Sequence, residues 1–504
     1  IVGGTSVNRW KMDKLSMRLK FQTEYGDASL NYPLFGDDAT DEFETIVLDA
    51  RANNSWAYGG GVRVQGRDLV QGDIAQYTRD QLAPDLQLAL GGYSVHGRPV
   101  HLYLNGLYWG LYWVHERPDE HFAEAYLGGD ESEYDVLKHN SETVVNGSDL
   151  EYRRLLARVN SGMASSDYYA QVKDMLDIPH FIDYMIINFY LANWDWAHQN
   201  WYATFNRVDP EGRWRFHCWD SEHIMEDIYA DMTTKNNNGG PTYIHQQLSE
   251  NAEYRQQFAD HVYRHLFNDG MFTIENISAF YEKLLDKIDR AVVGESARWG
   301  DNHRDWPYTR NEECLTEKFW LLDEFFVERG DVVLEQFRNR GLYPDLAAPS
   351  FRINGATHTG GRIEDGDNLS MVGSGTIYYT TNGTDPWMAE TTQDQTVYVP
   401  QDAPKKVHIP TSNIGIRWRI DPYYDDTSWL ECTGSPGGVG YERDSGYEPF
   451  ITLDTSNGMY DPDNNASSTC YIRIPFNMTV AEIGKLSRMA LRIRYDDGFA
   501  AFIN

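Results

Sequence analysis

The segment 177-DIPHFIDYMIINFYLANWDWAHQNWYATFNRVDPEGRWRFHCWDSE-222 decides how the rest of the chain is read. Asp177 is a good helix N-cap, and Pro179 falls in the first turn, where a missing N–H costs nothing. Ile178, Phe181, Ile182, Met185, Ile186 and Phe189 follow at the i, i+3, i+4, i+7 spacing of one buried helical face. The helix runs into Asn193-Trp194-Asp195-Trp196-Ala197-His198-Gln199-Asn200, a polar stretch between two apolar ones. Two strand-like runs, 200–207 and 213–219, are then joined by Val208-Asp209-Pro210-Glu211-Gly212, whose Asp-Pro and Gly predict a turn. In the second run Trp214, Phe216 and Cys218 alternate with Arg213, Arg215 and His217, so one side is apolar. Pairing Arg207 with Arg213 sets Asn200 opposite Asp220 with Cα atoms about 4.5–5.5 Å apart, and two oxygen ligands meet at the open end of the hairpin. A slip of one residue moves one of them to the other face.

Phosphoryl transfer uses such a set: a carboxylate that takes or orients the hydroxyl proton, then an amide oxygen and a second carboxylate that hold Mg²⁺ on the phosphates. Here these are Asp195, Asn200 and Asp220. The Asp-x-x-x-x-Asn spacing equals that of the protein-kinase catalytic loop, and the acid after the hairpin matches the DFG aspartate. The competing structural reading has Asp195 capping a turn and Asp220 ending a strand in solvent.

Working outward, Gly3-Gly4-Thr5-Ser6 predicts a turn before a strand over 14–21, in which Leu15, Met17, Leu19 and Phe21 alternate with Lys14, Ser16, Arg18 and Lys20. A glycine turn followed by a basic strand face suits phosphates, with Lys14, Arg18 and Lys20 as equal candidates, and it equally suits a solvated edge. Residues 43–48 form a strand, and 77–90 a helix kinked or started late by Pro84. Asn105-Gly106 joins strands 100–103 and 107–114 in a type I′ hairpin. Glu116 leaves it where a kinase hinge would lie, and Lys138 ends a strand over 134–138 as a further phosphate or acid partner. Helices follow at 150–160, 167–176, 242–249, 252–267, 274–293 and 313–338, with a polar loop at 231–240 placed either to bind substrate or simply to face solvent. Arg298-Trp299 reads as a stacked pair before a phosphate contact.

Residues 103–116 (Tyr103-Leu104-Asn105-Gly106-Leu107-Tyr108-Trp109-Gly110-Leu111-Tyr112-Trp113-Val114-His115-Glu116) with Asp119 and Phe122, then Asn193 to Asn200, then Cys218-Trp219-Asp220-Ser221-Glu222, resemble in order the signature of the CotH family of spore-coat-type atypical protein kinases. The similarity spans 1–345. It implies an α+β atypical protein-kinase-like domain, with a β-rich N-lobe and a helical C-lobe, that uses ATP and Mg²⁺ or Mn²⁺ to phosphorylate Ser or Thr of a protein substrate. It also implies that the nucleotide lysine lies near residues 14–20 and that Glu222 supports the metal, although the family more often has aspartate there.

A proline-flanked linker at 342–349 ends the helical periodicity. Beyond it, Thr376-Ile377-Tyr378-Tyr379-Thr380-Thr381-Asn382-Gly383-Thr384-Asp385-Pro386 resembles the Ig-like β-sandwich module that closes chitobiases and related hexosaminidases, over 346–408. Residues 409–504, with strands at 416–420, 471–474 and 489–495, resemble part of a jelly-roll, galactose-binding-like module, read first as a structural β domain without ligand and second as a module that adds glycans as a candidate partner. The expected fold is therefore multidomain: the kinase-like domain followed by all-β Ig-like and jelly-roll-like modules.

Composition bounds the function. The chain of 504 residues has 33 Tyr and 15 Trp and a formal net charge of −32, so it folds, and it repels nucleic acid and anionic membranes. No run of about 18 apolar residues predicts a membrane span. Cys218, Cys314, Cys432 and Cys470 lack metal-ligand spacing; a Cys432–Cys470 bridge is expected, which favours an extracellular or cell-surface location. The start at Ile1 and the end in a strand-like run read as a piece of a longer protein. The alternative function is a non-catalytic extracellular coat or glycan-binding protein on a kinase-like scaffold. A metal-dependent hydrolase is disfavoured, because no His-rich zinc set stands out.

Overall fold

The computed structural model describes residues 11–360, 362–381, 397–443, 448–460, 467–483, 491, 493 and 500–503. The chain divides into two compact units, Ile1–Asp385 and Pro386–Asn504.

In the first unit, β1 (Met17–Lys20), a short ribbon of β2 (Leu30–Asn31) and β3 (Glu42–Phe43), and β4 (Thr45–Asp49) precede α1 (Arg79–Ala89), β5 (Gly97–Leu104) and β6 (Leu107–His115). Strands β1-β4-β6-β5 form one antiparallel sheet. Its hairpin turns at Asn105 (φ 51°) and Gly106 (φ 81°), the left-handed pair that a type I′ turn requires. After α2 (Glu120–Leu127) come β7 (Tyr134–Lys138), β8 (Val144–Asn146), α3 (Leu150–Val159), α4 (Ser166–Lys173), α5 (Ile178–Tyr190), β9 (Trp201–Asn206) and β10 (Arg215–Cys218), with a second antiparallel sheet in the order β10-β9-β7-β8. Helices α6 (Pro241–Leu248), α7 (Ala252–Leu266), α8 (Ile274–Asp286), α9 (Ala291–Trp299), α10 (Leu315–Trp320) and α11 (Phe326–Asn339) follow. The single helix expected at 274–293 is thus two. The one expected at 313–338 carries π-helical turns at Arg310–Cys314 and Leu321–Phe325.

The central helix is more enclosed than its periodicity indicates. Every residue from Phe181 to Tyr190 is buried, because α1, α6, α7, α11 and β10 pack around it. A helix sealed on all sides has no water for its last carbonyls. Arg329 of α11 supplies the donors: its guanidinium reaches the carbonyls of Phe189 (2.5 Å), Tyr190 (2.8 Å) and Ile228 (2.6 Å) without any exposure. Asp177 sits at the N-cap position, but its side chain does not cap the helix; its Oδ2 takes Arg215 Nε and His180 Nδ1, each at 2.9 Å. Cys218 is buried, and Arg298 stacks on Trp299, as read from the sequence.

Past α11, β11 (Ser350–Ile353), β12 (Ala356–His358) and β13 (Leu369–Val372) form a small antiparallel sheet. The second unit holds the sheet β15-β14-β18, from β14 (Lys405–His408), β15 (Leu430–Cys432) and β18 (Tyr471–Arg473), and a parallel pair, β16 (Gly438–Gly440) with β17 (Ile451–Asp454). Several expectations here are corrected. Residues 376–380 form no regular strand, the run at 416–420 is a helical turn (Arg417–Ile420), and Cys432 and Cys470 are both free. The Gly3-Gly4 turn, the Asn382-Gly383 turn and most of 489–495 lie outside the described residues. Among the described residues no helix is long and apolar enough to cross a membrane.

Replacing Arg329 with Met strands the buried carbonyls of Tyr190 and Ile228, each at about 1–3 kcal/mol, and leaves Phe189 O with its backbone donor from Ala192. The expected loss is several kcal/mol of unfolding free energy, read as a lower urea midpoint; a change under about 1 kcal/mol refutes the capping role.

Candidate active site

The chain leaves α5 under tight control. Asn193 N donates to Asn188 O at 3.0 Å, its side-chain amide donates to Asn188 Oδ1 at 2.9 Å, and Trp194 N donates to His223 O at 3.3 Å. Trp196 is buried and donates Nε1–H to Tyr184 Oη at 2.7 Å. Asp195 is therefore held between two anchored tryptophans. Its Oδ2 accepts from Gln199 Nε2 (3.0 Å) and Asn200 Nδ2 (3.1 Å), and Asn200 Nδ2 also donates to Asp195 O at 3.0 Å. The Asn200 backbone N–H donates to His139 Nδ1 at 2.9 Å, and burial with Lys138 alongside pulls the His139 imidazole down to about 4, which keeps that nitrogen an acceptor. Lys235, from the 231–240 loop, donates to Trp194 O and to Trp196 O, the latter at 2.7 Å, and so grips the backbone on both sides of Asp195. That loop is docked rather than free.

The expected hairpin register is wrong by one residue: Cys218 faces Trp201 and Arg215 faces Thr204. Asn206 Oδ1 accepts from Val208 N (2.9 Å) and Asp209 N (3.0 Å), closing the turn early, while Arg207 N donates to Glu133 O instead of pairing with Arg213. The strands stop short of Asn200 and Asp220, and the chain turns left-handed at both (φ 61° and 55°). Arg51, His139 and Ala197 adopt the same backbone region around them, at about 1–3 kcal/mol for each non-glycine residue so held. Strain of this kind gathers where a site over-determines the backbone.

Asp220 and Glu222 nevertheless share one electrostatic field with Asp195. Enclosing protein and the carboxylates of Asp80 and Asp49 push the Asp220 carboxyl up to about 7, Lys138 opposes this, and Asp195 adds to it. The side chain itself opens to solvent on one side. Burial, then Asp220, Asp49, Asp80 and Asp195, raise Glu222 well above the carboxylate range. Glu222 Oε1 accepts from Asn53 Nδ2 at 2.5 Å, and Asp80 Oδ1 accepts from Ser221 N at 2.6 Å. Arg51 lies over the Trp113 ring and pairs with Asp80 and with Asp49 Oδ2, the latter at 2.8 Å. Carboxylates that destabilise one another's charged forms in this way form a donor set that fits a divalent cation. Asp49, Arg51, Asn53, Asp80, His139 and Lys235 are all absent from the sequence reading; the polar run Arg51-Ala52-Asn53-Asn54 after an apolar strand was the visible signal.

The basic candidates separate. Arg18, Lys20 and Lys138 line one cleft of about 410 Å³ together with Arg117, Asp119 and His121. Lys138 also lies over the Tyr202 and Trp219 rings and interacts with Asp220; burial and Arg117 lower its ammonium to about 8. Lys14 does not belong there. Fully buried, its Nζ donates to Leu111 O at 2.5 Å and pairs with Glu295 Oε1 at 2.7 Å, between Tyr77 and Tyr112. The pair ties the N-terminal segment to α9. Glu116 does not line the cleft either: Oε2 accepts from His96 N (2.8 Å), and Oε1 accepts from Tyr126 Oη (2.6 Å).

A lysine titrating near 8 is charged below that pH and neutral above it. Binding of inorganic tripolyphosphate without metal should weaken from pH 7 to 9, and Lys138→Gln should flatten the profile; calorimetry giving the same slope in both proteins refutes the assignment.

No relative among curated proteins matches the chain. Residues 71–331 match the family described as CotH kinase protein. This span leaves β1 to β4, and with them Arg18 and Lys20 of the cleft, outside but takes in α1, the cleft residues Arg117 and Lys138, the Asp195 loop and the acids at 220–222. Since the match covers more than half of the sequence and carries every group that meets at the acidic floor apart from Asp49, Arg51 and Asn53, the chain belongs to the CotH kinase family.

Proposed function

We propose that the chain transfers the γ-phosphoryl group of ATP to a Ser or Thr hydroxyl of a protein substrate. The observation that carries this reading is the double membership of Lys138, which forms part of the cationic cleft wall and also lies in the field of Asp220. An anion-binding wall and an acidic floor are thereby parts of one site, the pairing phosphoryl transfer needs.

Each group then has a task. Asp195, oriented by Gln199 and Asn200, takes or directs the proton of the attacking hydroxyl. Its position is set by Lys235 on the flanking carbonyls. Arg18, Lys20, Arg117 and Lys138 draw the phosphates into the cleft. Asp220 and Asn200, with Glu222 in support, would hold Mg²⁺ or Mn²⁺, which when bound offsets charge on the phosphates. Glu222 reaches further than an aspartate, and Asn53 fixes that longer side chain in place.

The test is transfer of label from γ-labelled ATP, with Mg²⁺ or Mn²⁺, to the protein itself or to a Ser-rich peptide. Asp195→Asn and Asp220→Asn should each lower kcat by about 10²–10⁴, the usual scale for losing a proton-transfer or charge-stabilising group. Lys138→Ala should chiefly raise KM for ATP, by about tenfold. Lys14→Met should lower stability and leave KM alone. Absence of labelling in the wild type, together with ATP-independent retention on glycan, overturns the kinase reading in favour of a binding protein.

A further inference from the structure

Asp183 lies in the middle of the most enclosed helix of the protein, and its carboxylate is buried. Two imidazoles converge on one of its oxygens. His261 Nδ1 lies 2.6 Å and His265 Nε2 2.7 Å from Asp183 Oδ1. Both histidines are on α7, at the i, i+4 spacing that sets two rings on one helical face, and both are buried. Among the described residues no lysine or arginine pairs with Asp183. A buried carboxylate between two imidazoles needs a positive partner: either a proton shared with the rings or a cation.

We infer that Asp183, His261 and His265 form a transition-metal site of the zinc class that staples α7 to α5, apart from the acidic floor. The ligand chemistry separates the two sites. Two imidazole nitrogens and one carboxylate oxygen suit Zn²⁺ and its borderline neighbours, whereas the oxygen ligands proposed at Asn200, Asp220 and Glu222 suit Mg²⁺ or Mn²⁺. The three ligand atoms lie within 4.8 Å of one another. Metal–ligand bonds of about 2.1 Å place tetrahedral ligand atoms roughly 3.4 Å apart, so the two short contacts must open by about 0.7 Å, within the reach of small side-chain rotations. Three protein ligands leave one position for water. From sequence, His261 and His265 look like an ordinary helical pair, because their third partner lies 78 residues before His261.

The experiment strips the full chain with a chelator and dialyses it against Zn²⁺ in excess Mg²⁺. The expected result is one zinc per chain by elemental analysis, with a raised melting temperature as for any ligand that binds only the folded state. Co²⁺ in place of zinc should give the intense visible absorption of a four-coordinate site. His265→Gln should weaken zinc binding by more than about a hundredfold, beyond the ten- to hundredfold effect of residues that merely orient ligands. Asp220→Asn should leave zinc binding unchanged. Substoichiometric zinc in the wild type, a six-coordinate Co²⁺ spectrum, or equal zinc binding by His265→Gln each overturns the site. The wild-type Co²⁺ spectrum decides the matter even if the variants fail to fold.

Discussion

Everything at the candidate site depends on how a fully enclosed helix ends. The last carbonyls of α5 are sealed from water; the N–H groups of Leu191, Ala192 and Asn193 reach those of Ile187, Phe189 and Asn188, and further donors must come from elsewhere in the chain. Arg329 supplies them from α11, and the positive guanidinium also suits the negative end of the helix dipole. With the end of α5 fixed, the loop that follows has few choices. Asn188 fixes Asn193, Tyr184 fixes Trp196, and Lys235 closes over the backbone between them. The carboxylate of Asp195 inherits its direction from these contacts.

The charges of the first unit are sorted by depth and by sign. Lys14 and Glu295 pair with each other in the interior, away from the cleft lining. Arg51 partly offsets Asp49 and Asp80 at the side of the floor. Arg18, Lys20, Arg117 and Lys138 gather in one cleft, beside Asp119 and Glu120, in a chain whose overall charge is strongly negative. A cleft of the opposite sign to its surroundings concentrates anions locally while the rest of the surface turns them away.

Much of this was legible in the sequence, because the decisive features are local. The apolar period located α5, Asn105-Gly106 located the β5–β6 hairpin, and the Asp-x-x-x-x-Asn spacing located a pair that does hydrogen-bond. What escaped is set by distant partners or by backbone choices that alternation cannot report. Lys14 looked like one more basic residue on a strand; only Glu295, 281 residues later, explains its burial. The hairpin register failed because Asn206 closes the turn with its side chain. At Asn200 and Asp220 the backbone leaves strand geometry for the left-handed region. The regular strand and the disulfide expected in the C-terminal third rested on composition and proximity in sequence, which fix neither a pairing partner nor a sulfur's neighbour.

Asp80 touches both Arg51 and the backbone of Ser221, the residue that separates Asp220 from Glu222. The first turn of α1 is consequently a lever on the acidic floor. A tilt of that turn by little more than the length of one hydrogen bond releases Ser221, and both neighbouring carboxylates lose their bearing together. Whatever presses on this helix from outside therefore also bears on the backbone between these two acids.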